Sequence, residues 1–190
     1  KTEPDGRRPA GSAGLRDRRR GQLRPFLAPG AVGTVEAENR ARRLHGRLVF
    51  LYAGSGVLGA VTTRVRNQIN ENAKLLAHSA LLPELHHNEV VGWEKSGAVA
   101  PAATVVLLRD ADDSAELRAR LTLTAEYVRR QGADVVELAE QEGSRLARVV
   151  SLVVLGDYLS LYLALLNEAD PTPIPSIDWF KSRLAEPRSA

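Results

Sequence analysis

An uninterrupted apolar run at residues 48–52 (Leu-Val-Phe-Leu-Tyr) narrows the possible folds of this chain more than any other segment. A short run without alternating polar residues is typical of a strand that is buried on both faces of a parallel sheet. The sequence Ala-Gly-Ser-Gly follows at 53–56, and helix-compatible residues then extend over 57–80. The segment predicts a strand, a tight turn and a helix, which is the repeating unit of doubly wound α/β folds.

Further strands and helices alternate along the rest of the chain. Residues 104–108 and 133–138 have strand character, and the helix between them has Asp113 as its predicted N-cap and Gly132 just past its end. Apolar residues then recur at helical spacing over 143–166. This alternation predicts an α/β fold with a doubly wound parallel sheet and helices on both faces.

The 190 residues suit one globular domain with an appendage. Residues 1–36 are a basic tail or linker rich in Gly, Pro and Arg, and 37–190 form the domain, ending in a short helix at 177–184. The chain begins with Lys and contains no Met, so we expect it to be a piece of a longer protein.

Much of the net charge of +3 comes from the tail, which contains Lys1, Arg7, Arg8, Arg16, Arg18, Arg19, Arg20 and Arg24. Such a cluster fits either a contact with nucleic-acid phosphates or a solvated basic tail. No aromatic residue is interleaved with the arginines, which favours the solvated tail. We therefore expect no nucleic-acid partner.

Composition excludes two classes of protein and argues against a third. The chain has no Cys, which excludes a disulfide framework and a thiolate metal site. The apolar run at 149–155 ends at Gly156 and Asp157, and is shorter than the roughly 18 residues that a transmembrane helix needs. We expect no membrane span.

Gly54 and Ser55 are candidate substrate-binding residues. A turn between a strand and a helix places backbone N–H groups and a hydroxyl at a helix N-terminus, where a phosphate is favoured. The spacing is not that of a Walker loop, and no acidic residue follows at the distance that a dinucleotide site requires. Phosphate contact and a plain tight turn both remain open.

Glu71 and the nearby histidines are the candidates for acid–base chemistry. Glu71 lies between two asparagines, and His78, His86 and His87 follow without the spacing of a metal site, so no metal is expected. A carboxylate and an imidazole together supply the base and the acid that aldose–ketose isomerisation requires. Taken alone, Glu71 also fits a solvent-facing helix carboxylate.

Several segments closely resemble the bifunctional phosphoglucose/phosphomannose isomerases of the sugar isomerase (SIS) superfamily. They are 68–74 (Gln-Ile-Asn-Glu-Asn-Ala-Lys), 83–85 (Pro-Glu-Leu), 87–93 (His-Asn-Glu-Val-Val-Gly-Trp), 156–158 (Gly-Asp-Tyr), 162–164 (Tyr-Leu-Ala), 170–173 (Asp-Pro-Thr-Pro), and Ile177 before Lys181. The resemblance covers roughly residues 39–184 and implies that the chain contains the second SIS domain of such an enzyme.

The resemblance also implies site residues. Glu71 matches the family base, which moves a proton between C2 and C1 through a cis-enediol, and Lys181 matches a lysine that assists ring opening and stabilises oxygen charge. His87 matches a ring-opening histidine that reaches the site of a neighbouring subunit, which implies a homodimer. The family acts on glucose 6-phosphate and mannose 6-phosphate in the cytoplasm, in glycolysis and gluconeogenesis, without metal or redox cofactor.

The chain departs from the family at some positions. His86 stands where the family usually has Asn, and Val65-Arg66 stands where an aromatic residue and a lysine are common. Family members have two SIS domains, and most of their phosphate-binding Ser and Thr residues lie in the first. The alternative function is therefore a non-catalytic SIS module that binds sugar phosphates or regulates another protein.

Overall fold

The computed structural model describes residues 32–140 and 143–186. Its elements, in chain order, are α1 (Val32–Leu44), β1 (Leu48–Gly54), α2 (Val57–Ala73), β2 (Ala77–Leu82), a 3-10 turn (Glu84–His87), α3 (Glu89–Gly92), 3-10 turns (Trp93–Lys95 and Ala100–Ala102), β3 (Ala103–Asp110), α4 (Ala115–Arg130), β4 (Asp134–Glu140), α5 (Arg145–Leu166) and α6 (Pro175–Ala185). The first helix begins at Val32, inside the predicted tail of residues 1–36, and residues 1–31 of that tail lie outside the described residues.

Four strands form one parallel sheet in the order β2–β1–β3–β4. The chain steps from β1 to β2 in one direction and from β3 to β4 in the other. The carboxyl ends of β1 and β3 therefore form the switch point at which doubly wound sheets open a crevice. This topology confirms the predicted α/β fold with a doubly wound parallel sheet.

Two apolar cores cover the two faces of the sheet. Alternate side chains such as Leu51 and Val106 face the first core, which includes residues of α1, α2 and α5. Their neighbours Tyr52 and Val105 face the second core, which includes residues of α4 and of the segment 84–102. Burial on both faces explains why the strands appear in the sequence as continuous apolar runs.

The predicted helix over 57–80 is wrong over its last seven residues. Helix α2 ends at Ala73, Lys74 takes a left-handed conformation (φ 53°), and 77–82 form strand β2, which pairs with β1. The side chain of Asn70 contributes to this change of direction, because it accepts a hydrogen bond from Ala77 N (2.8 Å) and donates to Ala77 O (3.3 Å). The Asn70 side-chain amide therefore makes the pair of hydrogen bonds with Ala77 that a neighbouring strand would make.

The predicted N-cap of the central helix is also off by one residue. Ser114, not Asp113, caps α4, and its hydroxyl accepts a hydrogen bond from Leu117 N (3.1 Å). Asp113 instead accepts from the backbone N–H of Asp110 (3.0 Å) and closes the turn after β3. Both residue types are good caps, so the sequence pattern alone does not separate them. Gly132 follows the end of α4 with φ 99°, as predicted.

Helix α5 (Arg145–Leu166) confirms the helix predicted over 143–166. Over its 22 residues it has the length and composition to cross a membrane, and it is the one such helix in the described part of the chain. In the structure it is a core helix, because Leu152, Leu155, Leu159 and Leu163 are buried against the first face of the sheet and its helices. A buried core helix passes the same length and composition test.

Candidate active site

Glu71 lines a cleft of about 480 Å³ between the end of α2 and the turn that precedes α6. The lining residues are Asn67, Asn70, Glu71, Lys74, Ile174, Pro175, Ser176 and Ile177. Of these residues, only Glu71 and Lys74 carry a charge. The cleft falls within the volume range of small-molecule sites and combines an apolar wall with a few polar groups.

The residues on either side of Glu71 fasten the end of α2 to its surroundings. Asn70 bonds to the start of β2, as described above. Asn72 donates from Nδ2 to the Ser160 hydroxyl on α5 (2.9 Å), and Asn167 donates to the carbonyl of Ala73 (2.8 Å). These bonds leave the Glu71 side chain exposed on a helix end that is held from two sides.

Lys74 links the two walls of the cleft. Its ammonium donates to the backbone carbonyl of Glu71 (2.6 Å) and reaches the carbonyl of Pro171 (3.5 Å), in the turn before α6. The sequence analysis does not identify Lys74 as a site residue, because the sequence around residue 74 does not show that Pro171 lies next to it in the fold.

Lys181 lies on α6, one helical turn after Ile177. Residues four apart share a helix face, so Lys181 lies on the same side of α6 as a residue that lines the Glu71 cleft. Its own side chain is exposed. The structure thus brings the predicted lysine to the neighbourhood of the cleft and does not place it in the lining.

His87 is not brought to Glu71 within the chain. It ends the 3-10 turn Glu84–His87, and Leu85 of that turn is buried in the second core, whereas Glu71 belongs to α2 on the first core. The imidazole of His87 is exposed. The elements that bear these two predicted residues therefore cover opposite faces of the sheet.

The other two histidines make separate contacts. His86 Nε2 lies 2.8 Å from the Thr124 hydroxyl, and its Nδ1 lies 3.3 Å from a guanidinium nitrogen of Arg120. Burial, then the charges of Arg120 and His87, hold the pKa of His86 below its ordinary value. His78 instead lies 3.0 Å from Glu89, so the three histidines do not form one cluster.

A partly buried polar network holds the segment that follows His87. The Tyr52 hydroxyl donates to Glu89 (2.6 Å) and accepts from the indole N–H of Trp93 (3.2 Å), while His78 bonds the second oxygen of Glu89. Burial, and then the hydrogen bond to Glu89, raise the pKa of Tyr52 far above its ordinary value. Sequence analysis did not identify this network, because Tyr52 appears only as part of an apolar strand.

Gly54 and Ser55 lie at the other end of α2 from Glu71. The 14 residue steps from Val57 to Glu71 correspond to about 21 Å of helix. Packing explains the glycine at position 54, since a Cβ there would lie 2.3 Å from the Leu117 side chain. The backbone N–H of Ser55 donates a hydrogen bond to the carbonyl of Leu82 (3.0 Å).

The crevice beside Ser55 is largely acidic. It has a volume of about 240 Å³, and its charged lining residues are Asp110, Asp112, Asp113 and Arg145. Burial raises the pKa of Asp113. Asp110 and Asp112 both form ion pairs with Arg148, which offsets part of this negative charge. Phosphate binding by Gly54 and Ser55 stays a prediction.

Comparison with known proteins agrees with this architecture. The family described as the bacterial phospho-glucose isomerase C-terminal SIS domain matches residues 34–184. The bifunctional phosphoglucose/phosphomannose isomerase of Caldicellulosiruptor bescii is 37% identical over 155 residues, which are 80% of this chain and 46% of that protein. The enzyme of the same name from Aquifex aeolicus is 33% identical over 144 residues, covering 76% of this chain and 44% of its own length.

Solved structures show the same fold. A glucose-6-phosphate isomerase like protein from Thermus thermophilus superposes with a TM-score of 0.59 at 24% identity, over 71% of this chain and 44% of the other. The C-terminal domain of glucosamine-fructose-6-phosphate aminotransferase from Francisella tularensis gives a TM-score of 0.60 at 14% identity, over 80% and 45%. At such identities the likeness concerns the fold alone.

The doubly wound sheet and the family match define a SIS-type α/β domain. The chain belongs to the family of bacterial phosphoglucose isomerase C-terminal SIS domains. It spans about half the length of the curated relatives that it matches.

Proposed function

We propose that this chain provides the second SIS domain of an isomerase that interconverts glucose 6-phosphate and mannose 6-phosphate with fructose 6-phosphate. The observation that carries the proposal is the exposed Glu71 carboxylate on the anchored end of α2, inside a cleft of small-molecule size. The relatives are bifunctional phosphoglucose/phosphomannose isomerases, which supports the substrate class.

In the proposed reaction Glu71 is the base. It takes the proton from C2 of the open-chain aldose, a cis-enediol forms, and the proton is returned to C1 to give the ketose. A general base needs a fixed position within hydrogen-bond reach of the carbon acid. The contacts of Asn70 and Asn72 supply that rigidity, because they hold the last turn of α2 against β2 and α5.

Two further roles belong to this proposal. Lys181 assists ring opening from α6. Gly54 and Ser55 contact a phosphate at a separate site, because the length of α2 keeps them out of reach of a hexose phosphate bound at Glu71. The steps use side-chain acids and bases, with no metal or redox cofactor, in a cytoplasmic enzyme of glycolysis and gluconeogenesis.

We also propose a homodimer in which His87 serves the site of the neighbouring subunit. The support is the separation described above: α2 and the turn that bears His87 cover opposite faces of the sheet. An exposed imidazole on its own turn is available to a second copy, as an isologous dimer requires.

The base role is tested with Glu71→Gln, which keeps the size of the side chain and removes its basicity. We expect the turnover of both hexose phosphates in a coupled assay to fall by about 10²-fold or more, while sugar-phosphate affinity changes little. The matched control is Glu126→Gln, on the exposed face of α4 and outside the cleft.

The result also separates the two candidate functions. Wild-type-like turnover in Glu71→Gln contradicts the role of Glu71. Tight binding of sugar phosphates by the wild type without any turnover supports the alternative, a non-catalytic SIS module.

A further inference from the structure

We propose that Lys74 is a catalytic residue that contacts the substrate oxygen on which negative charge develops when Glu71 removes the proton. This inference rests on the proposed isomerase function and deepens it. It assigns an electrostatic partner to the base from residues of the same cleft.

The first observation is the position of the ammonium group. Lys74 is the one cationic residue among those that line the Glu71 cleft. Its Nζ lies 2.6 Å from the backbone carbonyl oxygen of Glu71, the residue whose side chain is the proposed base. Because both residues line the same cleft, a substrate bound in it can contact the carboxylate through carbon and the ammonium through oxygen.

The second observation is how the ammonium is held. Its two bonds go to the carbonyl oxygens of Glu71 and Pro171, which fix its position without neutralising its charge. An ammonium has three N–H donors, so these bonds leave one for a ligand. A fixed positive charge at the point where negative charge develops is the arrangement that lowers a reaction barrier most.

The third observation is the backbone of Lys74. It has φ 53° and ψ 33°, a left-handed conformation at the end of α2 that is usually taken by Gly or Asn. A lysine there is less stable than glycine, because its Cβ crowds the following carbonyl oxygen. A strained backbone conformation beside a candidate base suggests a function for the side chain.

The chemical step balances with the groups present. Transfer of the C2 proton to the Glu71 carboxylate turns the C–H electron pair into the new C1–C2 double bond. The carbonyl π pair moves onto the oxygen of C1, which becomes an oxyanion and accepts a hydrogen bond from Lys74. The hydroxyl proton of the C2 oxygen then passes to the C1 oxyanion, Glu71 returns its proton to C1, and the electron pair left on the C2 oxygen forms the new carbonyl of the ketose.

A purely structural role for Lys74 is the competing explanation. A lysine at a helix C-terminus can stabilise the last carbonyl groups through its charge. That role affects folding and gives no preference between ligands. Stabilisation of an oxyanion instead discriminates between ligands that differ only in charge at C1.

The experiment measures the affinity of two five-carbon sugar phosphates by calorimetry on the full chain. Arabinonate 5-phosphate carries a carboxylate that stands for the enediolate oxygens, and arabinitol 5-phosphate has a neutral alcohol there. We expect Lys74→Gln to weaken the carboxylate compound roughly tenfold or more, and the alcohol less than about twofold. Lys74→Arg, which keeps the charge, should keep the preference.

Two controls make the result decisive. Lys74→Gly removes the ammonium and relieves the left-handed strain, so it should fold at least as well as Lys74→Gln and show the same loss of discrimination. Lys95→Gln removes an exposed lysine outside the cleft and should leave both affinities unchanged.

Three outcomes overturn the inference. If Lys74→Gln loses affinity for both compounds equally, Lys74 contacts a part that they share, such as the phosphate group. If the variant keeps the wild-type preference for the carboxylate compound, Lys74 does not recognise the charge at the reacting end. If the wild type binds neither compound, this chain alone forms no sugar-phosphate site, and the inference fails together with the proposed binding; the first two outcomes leave the proposed function standing.

Discussion

At the scale of single residues, the hydrogen bonds of His86 define which of its ring nitrogens carries the proton. Arg120 can only donate, so His86 Nδ1 accepts from it, and Nε2 therefore carries the proton and donates to Thr124. The Thr124 hydroxyl in turn donates to the carbonyl of Arg120 (2.8 Å). Protonation of Nδ1 would bring two cations together.

This arrangement predicts how stability depends on pH. The pKa of His86 is lower in the folded chain than its ordinary value of about 6.5, so the unfolded chain binds the proton more readily. The stability from neutral His86 is present above that value and is lost as pH falls through the folded-state pKa. We expect the difference in unfolding free energy between the wild type and His86→Asn to shift against the wild type from pH 7 to pH 5.

Urea unfolding of the wild type and of His86→Asn from pH 7 to pH 5 measures the difference in their free energies of unfolding. The titrations of other groups cancel in this difference, because both proteins contain them. Asn is a suitable replacement because it can also accept and donate hydrogen bonds. Parallel pH profiles for the two proteins would show that His86 does not titrate differently on folding.

At the scale of elements, the contact between α2 and α5 supports the position of Glu71. Gly156 of α5 lies directly on Val65 of α2: a Cβ at 156 would lie 2.4 Å from Val65 Cγ2. Val65 is buried, and its β-branched side chain has little rotamer freedom in a helix.

We expect Gly156→Ala to lower the free energy of unfolding by about 1–2 kcal/mol, because overpacking outweighs the better helix propensity of Ala. Thermal or denaturant unfolding measures the change. Gly92→Ala is the matched control, since a Cβ at Gly92 has no neighbour within 4 Å. Adding Val65→Ala to Gly156→Ala should recover part of the loss; equal stability of Gly156→Ala and the wild type would contradict the close contact.

The elements also show which parts of the fold follow from local sequence. Strands β1, β3 and β4 are apolar runs rich in Val and Leu, so their pattern alone predicts them. Strand β2 contains Ala, His and Ser, which have little strand preference, and it forms because β1 pairs with it and Asn70 bonds to its first residue. Because strand β2 was not predicted, the sequence analysis could not place Glu71 and His87 on elements that cover opposite faces of the sheet.

In the candidate site too, some residues could be predicted from local sequence and others depend on tertiary packing. Glu71 could be nominated from its motif, since the motif is local. Its partner wall could not, because Pro171 lies 97 residues from Lys74 along the chain and only tertiary packing brings them together. The acidic surroundings of Ser55 depend likewise on the turn after β3, which the strand-to-turn pattern around residue 55 does not reveal.

At the scale of the whole molecule, the proposed site requires two copies of the chain. If Glu71 and His87 of different subunits form one site, an inactive Glu71→Gln protein and an inactive His87→Ala protein should complement each other. Mixed dimers formed at equal ratio would contain one intact site, which gives about a quarter of wild-type turnover.

Co-refolding of the two variants, followed by the coupled assay, measures this recovery. Each variant refolded alone is the control for residual activity. No recovery in the mixture, although mixed dimers form, would show that the two residues act within one subunit.

The central claim is that Glu71 moves a proton between C1 and C2 of a hexose phosphate. A carboxylate base exchanges that proton with solvent during some turnovers, so incorporation of deuterium from D2O into substrate, followed by NMR, tests the claim directly. We predict deuterium at C2 of glucose 6-phosphate and at C1 of fructose 6-phosphate with the wild type, and none with Glu71→Gln. Exchange at an undiminished rate in Glu71→Gln would contradict the account.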